Sequence, residues 1–359
     1  MTQTIPATMR RVALAARPKG AVTPDCFRIE ELPMPQPGPG QFLVRVIWLS
    51  LDPYMRGRMD ESKSYAKGVE IGETMQGGAV GEVIASNHPG FAVGEFVVGP
   101  FGWATHALSD GEGVRKLDPA RAPISTALGV LGMPGHTAWV GLNDIGQPKA
   151  GETLVVGAAT GAVGQVVGQL AKARGLRAVG VAGGPDKCRY AVEELGFDAC
   201  IDHRAAPDAK ALRAQLAEAC PDGVDIYYEN VGGKTLEAVI PLMNVHGRIP
   251  VCGMISWYDL GGLGMGEVPG PDRLPRVWRT ILVQRLKVQG FIIFDHNDRF
   301  APFEEEVSAM IRDGRLKYRE TIAEGLDAAP EAFIAMLKGG NLGKQLVRVS
   351  DDPTRGDKA

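Results

Sequence analysis

From Thr153 the chain reads Thr-Leu-Val-Val-Gly-Ala-Ala-Thr-Gly-Ala-Val-Gly and then runs on to Arg174 in a helix-patterned stretch. An apolar run, a glycine turn and an amphipathic helix in that order form the opening of a dinucleotide-binding unit. Gly161 is expected to let the chain turn sharply off the strand, and Gly164 to let the helix pack close to the sheet. The helix N-terminus would then aim free N–H groups at a pyrophosphate. Ala159 stands where the first glycine of such a fingerprint usually lies. The pyrophosphate turn is therefore assigned to Ala159, Gly161, Ala162, Val163 and Gly164. Glycine corners also form without a ligand, so the surrounding sequence has to carry the argument.

Val163, Val166, Val167, Leu170 and Ala171 share one helical face, and Gly175 sits where that helix should stop. A second apolar run, 178–182, follows, and the next position is Gly183. An NAD-preferring unit places an Asp or Glu there for the ribose hydroxyls. Here cations follow instead: Lys187 and Arg189 in the next turn, then His203 and Arg204 after a third run. A missing acid and added positive charge together predict NADP as the cofactor.

Further runs at 199–201, 224–228, 248–251 and 287–291 alternate with helical stretches, which predicts a six-stranded doubly wound parallel sheet. Before it, residues 9–117 are rich in Gly and Pro, with β-type runs at 42–49, 78–84 and 95–99. That texture predicts a partly closed β domain. The tail reads as a helix at 302–313, an extended run at 318–322, a helix at 329–337 and a strand at 344–349 that returns to the first domain. At 359 residues the chain has ample mass for two domains.

Forty-two acidic residues against 39 basic ones leave a net charge of −3. That balance argues against a nucleic-acid or membrane-surface partner. Met1 to Arg10 lacks the apolar core of a signal peptide and no 18-residue apolar span occurs, so a soluble, cytoplasmic protein is expected. The five cysteines, Cys26, Cys188, Cys200, Cys220 and Cys252, are scattered and odd in number. They indicate neither a disulfide framework nor a Cys-x-x-Cys zinc site.

Several segments carry a resemblance. Leu51-Asp-Pro-Tyr-Met-Arg-Gly-Arg-Met59, Gly132-Met-Pro-Gly-His-Thr-Ala-Trp139, Tyr228-Glu-Asn-Val-Gly-Gly233, Cys252-Gly-Met-Ile-Ser-Trp-Tyr258 and Gln289-Gly-Phe-Ile-Ile293 are similar to signatures of one family. It is the zinc-free prostaglandin reductase, or leukotriene B4 dehydrogenase, branch of the medium-chain dehydrogenase/reductase superfamily, which includes curcumin reductase-like and 2-alkenal reductase-like enzymes. The resemblance spans nearly the whole chain. It implies a GroES-like partly closed barrel over residues 1–131, a Rossmann NADP-binding domain over 132–312 and a return to the first domain over 313–359. It also implies a homodimer, joined through an edge strand of the Rossmann sheet.

A catalytic zinc needs three converging Cys, His or carboxylate ligands. Zinc-dependent relatives carry a cysteine near Leu51-Asp-Pro-Tyr54 and a Gly-His-Glu motif near Gly72-Glu-Thr74, and this sequence has neither the thiol nor the histidine. His106 and His136 are isolated, so no metal is expected. Without a Lewis acid, hydride addition to the β-carbon of an α,β-unsaturated ketone or aldehyde is easier than alcohol oxidation, because the charge spreads into an enolate that hydrogen-bond donors can hold. NADPH-dependent reduction of an activated C=C bond is the expected reaction. Quinone reduction with the same cofactor, or a non-catalytic NADPH-binding protein like a zeta-crystallin, are the alternatives.

Individual residues follow. Lys187 and His203 match positions at which the family grips the 2′-phosphate, although His203 stands where the prostaglandin reductases have Tyr. Asn230 follows the fourth strand and resembles a nicotinamide- and ribose-side contact; Met133, Thr137 and Asn341 also match cofactor positions. Cys252, Phe291, Ile292 and Ile293, after the fifth strand and within or after the sixth, are expected to wall the nicotinamide. Tyr258, just beyond the fifth strand, is the candidate proton donor to the substrate oxygen, and Tyr54 matches a substrate-pocket position. The Gly/Pro-rich stretch between Trp257 and Arg279 is a candidate lid, and Trp48, Trp103 and Trp257 are candidate pocket walls.

Overall fold

A computed structural model of the protein describes residues 5–261, 266 and 270–355. The parallel sheet is built from β8 (Thr153–Gly157), β9 (Arg177–Ala182), β10 (Ala199–Asp202), β11 (Val224–Tyr228), β12 (Met243–Val251) and β13 (Lys287–Gly290). Their spatial order is β10-β9-β8-β11-β12-β13, with every neighbouring pair parallel. This is the doubly wound order, in which the chain runs one way from β8 and then back the other way from β11. All five residues of β8 are buried, as a central strand covered on both faces by helices must be. The helices of this half are α2 (Met133–Val140), α3 (Gly164–Ala173), α4 (Pro185–Glu193), α5 (Ala209–Ala219), α6 (Gly233–Val239), α7 (Leu274–Gln284) and α8 (Phe300–Arg312). The first described helix, α1 (Met55–Arg58), belongs to the other half, and α9 (Ala329–Leu337), from the tail, contributes Phe333 and Met336 to the same core as Met55 and Met59.

The second half is largely antiparallel. β3 (Phe42–Ser50), β4 (Ala79–Ser86), β5 (Phe96–Gly99), β6 (His106–Ser109), β7 (Arg115–Leu117), β14 (Glu320–Glu324) and β15 (Lys344–Arg348) make a seven-stranded sheet ordered β14-β15-β3-β4-β5-β7, with β6 on β3. Its end strands β14 and β7 are not paired with each other, so the sheet curls without closing a ring. β1 (Thr8–Leu14) and β2 (Phe27–Pro33) form a separate antiparallel pair. The expected α/β class, a doubly wound sheet plus a partly closed β domain, is what the chain adopts. β15 crosses to β3 with Leu346 opposite Ser50, and Lys344 anchors it there.

Three features depart from the reading of the sequence. β1, β2, β6 and β7 carry mixed burial or only three residues, so they lack the clean alternation that announces a strand. Gly161 does not take the sharp turn; Ala158, at φ 50°, does. The long loop expected between 257 and 279 is shorter at both ends: residues Ile255–Leu260 form a short helical turn and α7 begins at Leu274. Residues 262–265 and 267–269 of the candidate lid lie outside the described residues.

Candidate active site

The carboxyl ends of the parallel strands face the antiparallel half across a cavity of about 490 Å³. Its position is the switch point between β8 and β11, where ligands enter sheets of this kind. Gly161, Ala162, Val163 and Gly164 line it directly after β8. A Cβ at Gly164 would meet the Ala158 carbonyl and lie 2.8 Å from the Ala159 Cα, so only glycine lets α3 start this close to the strand. Ala159 is a correction: it is fully buried and lines core, while Ala158 and Thr160 face the cavity. The alternation of a chain leaving the sheet turns Ala159 inward, against Gly180. From the far end of the sequence, Gly343 donates its N–H to the Thr160 carbonyl at 2.8 Å and pairs with Gly161.

Gly183 follows β9 inside a cage of basic side chains. A Cβ there would fall 2.9 Å from Arg204 Nε and 3.0 Å from His203 Nε2. Lys187, on the first turn of α4, crosses to donate to the Gly339 carbonyl at 2.9 Å. Beside the cage, the Asp202 carboxylate accepts the N–H groups of Gly184 and Arg204, both at 2.8 Å. Burial lowers the His203 pKa, and Lys234 and Arg204 lower it further. His203 is thus a neutral hydrogen-bonding group near neutrality, and Lys187 and Arg204 carry the charge. Arg204 also faces this cavity; its sequence signal was its place beside His203, which the site assignment passed over.

The opposite end holds the phenols. Tyr54, Tyr65 and Tyr258 line it together with Met133, Thr137, Asn230, Cys252, Phe291, Ile292 and Ile293. Asn230 donates to the Gly157 carbonyl at 2.9 Å, and Thr137 donates to the Met133 carbonyl at 2.7 Å. Asn341 lines the cavity from the tail and donates to the Gly343 carbonyl at 2.7 Å. The Tyr258 hydroxyl accepts from Met254 N–H at 3.5 Å. Burial pushes the Tyr258 pKa up to about 12 and raises that of Tyr54 too, so both phenols keep their protons. Burial likewise pushes the Cys252 thiol up to about 12.

Sequence reasoning missed Tyr65 and its brace. The buried Arg58 guanidinium sits 4.5 Å from the Tyr65 ring centre and 5.4 Å from that of Tyr54, a cation–π arrangement that fixes both rings. Nothing in the spacing of Tyr65 announces it, since it stands alone in a polar loop. Below the phenols, Lys344 donates to Asp52 at 2.7 Å and to the Leu51 carbonyl at 2.6 Å, and Ser50 donates to the other Asp52 oxygen.

The remaining candidates do not join the site. Trp48 donates to Asp352 at 2.8 Å and Trp103 stacks on Phe27, both within cores; Trp257 packs over Gly232. Bulky rings fill interior space sooner than they line an opening. His106 lies in β6, while His136 packs between Phe300 and Phe303. Among the described residues no group of three or more His, Cys, Asp or Glu side chains could hold a metal ion, and no helix is long and apolar enough to cross a membrane.

Two family models match: an N-terminal domain of oxidoreductase over residues 10–117 and a zinc-binding dehydrogenase over residues 162–309. The NADPH-dependent curcumin reductase of Escherichia coli (strain K12) is 52% identical over 96% of this chain and 97% of its own. The 2-alkenal reductase (NADP(+)-dependent) of Nicotiana tabacum is 39% identical over 87% of this chain and 88% of its own. The crystal structure of CurA in complex with NADPH from Vibrio vulnificus matches with a TM-score of 0.90 at 49% identity, covering 96% of this chain and 100% of that one. With this fold, and with relatives this similar along nearly its full length, the chain belongs to the zinc-free reductase branch of the medium-chain dehydrogenase/reductase superfamily.

Proposed function

We propose that the chain is an NADPH-dependent reductase of C=C bonds conjugated to a carbonyl group, acting on 2-alkenals, enones or curcumin-like dienones. One observation carries this reading: a single cavity joins the basic cage at Gly183 to protonated phenols at its other end. The cage fits a phosphate monoester, because Arg204 and His203 can close on Gly183 only for want of a side chain there. The names and titles of the similar proteins support the same cofactor.

In this reading Lys187, Arg204 and neutral His203 hold the 2′-phosphate. Gly161, Ala162, Val163 and Gly164 face the pyrophosphate at the start of α3. Met133, Thr137, Asn230, Cys252, Phe291, Ile292, Ile293 and Asn341 wall and orient the nicotinamide half. The bound cofactor supplies a hydride to the β-carbon of the substrate. Tyr258 donates a hydrogen bond to the carbonyl oxygen as negative charge builds there, and Tyr54 shapes the space beside it. Help of this kind is typically worth ~10²–10⁴ in rate. Hydrogen-bond donors hold the enolate charge, so no metal takes part in this scheme.

The same reading includes a homodimer. β13 is an edge strand, and beside it α7 leaves Trp278 64% and Leu282 76% exposed, an apolar face suited to a second copy. A cytoplasmic setting suits five free thiols.

The test is NADPH oxidation across 2-alkenals, enones, curcumin and quinones, with mass spectrometry of the products. A saturated ketone or aldehyde two hydrogens heavier than the substrate is expected. Turnover of quinones alone, or NADPH binding with no oxidation on any enone, would overturn the assignment.

A further inference from the structure

We propose that Asp259 is a positioning residue for Tyr258: its carboxylate closes on the vacant Nε–H donor of Arg56 and so holds the proton-donating phenol against the substrate wall. The inference rests on the proposed role of Tyr258 and deepens it. Tyr258 lies in the helical turn Ile255–Leu260. The start of that turn is tied to the nucleotide half, since Ile255 N–H donates to the Asn230 carbonyl at 3.2 Å and Ser256 N–H to the Val231 carbonyl at 3.0 Å. Its other side meets α1 of the antiparallel half. That helix follows directly on Tyr54, carries Arg58 over the Tyr54 and Tyr65 rings, and carries Arg56. How far the Tyr258 phenol stands from those rings is therefore set where the turn meets α1.

Arg56 occupies that meeting point with a side chain that is 0% exposed. Nη1 donates to Asp60 at 2.7 Å and Nη2 to the Gly20 carbonyl at 2.9 Å, which fixes the plane of the guanidinium. Its Nε–H has no hydrogen-bond partner among the described residues. A buried donor left unpaired is costly, and a charged one more so. The Asp259 carboxylate faces it, with Oδ1 3.9 Å from Nε. That separation is within the range of an ion pair and too long for a hydrogen bond.

The Asp259 side chain is 53% exposed and has room to move inward. An approach of about 1 Å completes an N–H···O bond. Substrate that expels water from the cleft strengthens the attraction, because opposite charges pair more firmly in drier surroundings. Tyr258, the adjacent residue, moves with Asp259 and is held facing the wall formed by Tyr54 and Tyr65.

The experiment compares Asp259→Ala, Asp259→Glu, Tyr258→Phe and the Asp259→Ala, Tyr258→Phe double variant in the full chain. The readouts are steady-state kinetics with NADPH and benzylideneacetone, urea unfolding, and hydrogen exchange of the backbone amides of 255–261. Asp259→Ala should lower kcat roughly tenfold and speed exchange in that turn, with KM for NADPH and the urea midpoint unchanged. Asp259→Glu should keep kcat and slow exchange, since its longer carboxylate still reaches Nε. In the Tyr258→Phe background Asp259→Ala should cost nothing more, because both changes act through one phenol. Full kcat or unchanged exchange in Asp259→Ala, a loss shared by Asp259→Glu, or an undiminished loss in the Phe background would overturn the proposal. A Tyr258→Phe enzyme with full kcat would instead remove the donor role beneath it, while the exchange data still report whether Asp259 secures the turn.

Discussion

Lys344 and Asp52 form an ion pair 2.7 Å long with side chains only 2% and 7% exposed, joining the start of β15 to the loop after β3. Burial lowers the Lys344 pKa and Asp52 opposes that shift. A buried pair is costly to break from one side, because the surviving charge has no partner. Lys344→Met should cost about 3–5 kcal/mol of stability, measured by urea unfolding. A Lys344→Met, Asp52→Leu double variant should recover most of it, and a double variant no better than the single one would refute the pairing as the cause.

The basic cage should discriminate between dinucleotides. Replacing Lys187 or Arg204 with Ala removes a charge-assisted contact worth about 1.5–3 kcal/mol, so KM for NADPH should rise roughly 10- to 100-fold. KM for NADH should hardly move. Steady-state kinetics with both cofactors decides it, and equal losses on both would defeat the assignment.

Tyr258→Phe should lower kcat on an enone by ~10²–10⁴ while leaving KM for NADPH near its original value. Because the phenol pKa is pushed up to about 12, the parent enzyme should show no loss of rate from phenol ionisation between about pH 6 and 10. A Phe variant with full kcat would remove Tyr258 from the mechanism.

Acid should destabilise the fold through two buried imidazoles. Burial pushes His106 and His136 down to about 4, below the ordinary histidine value of about 6.5. Above that ordinary value their contribution is complete. As pH falls from there toward 4, the unfolded chain takes up protons that the folded chain refuses, and stability drops by about 1.4 kcal/mol per pH unit for each histidine. His136 Nε2 has no hydrogen-bond partner and its ring sits against Phe300 and Phe303. His136→Phe should therefore keep the fold and flatten the pH dependence of urea unfolding by one such increment; an unaltered slope would disprove it.

The exposed face of α7 should hold two copies together. Leu282→Asp should shift sedimentation from dimer to monomer, and a parent protein that already sediments as a monomer would end that reading.

The nucleotide half was legible because its signals are local. β8, the glycine turn and α3 are contiguous, and Gly183 followed by Lys187 reads as a missing acid with a nearby cation. What was not legible depends on the direction of side chains or on partners far away in sequence. Ala159 and Ala158 are adjacent, yet one faces core and the other the cavity, a choice the φ of 50° at Ala158 makes. Tyr65 depends on Arg58, and Lys344 on Asp52, a partner 292 positions away. The tryptophans misled because size alone suits a wall and a core equally.

The contact of Gly343 with Thr160, and of Lys187 with Gly339, has a consequence for biosynthesis. During translation the six parallel strands leave the ribosome well before the segment that completes the nucleotide cleft. A nascent chain can thus assemble its central sheet early while still lacking one side of the cleft. Tight capture of the dinucleotide must wait until the tail emerges and docks, which couples ligand retention to finished synthesis.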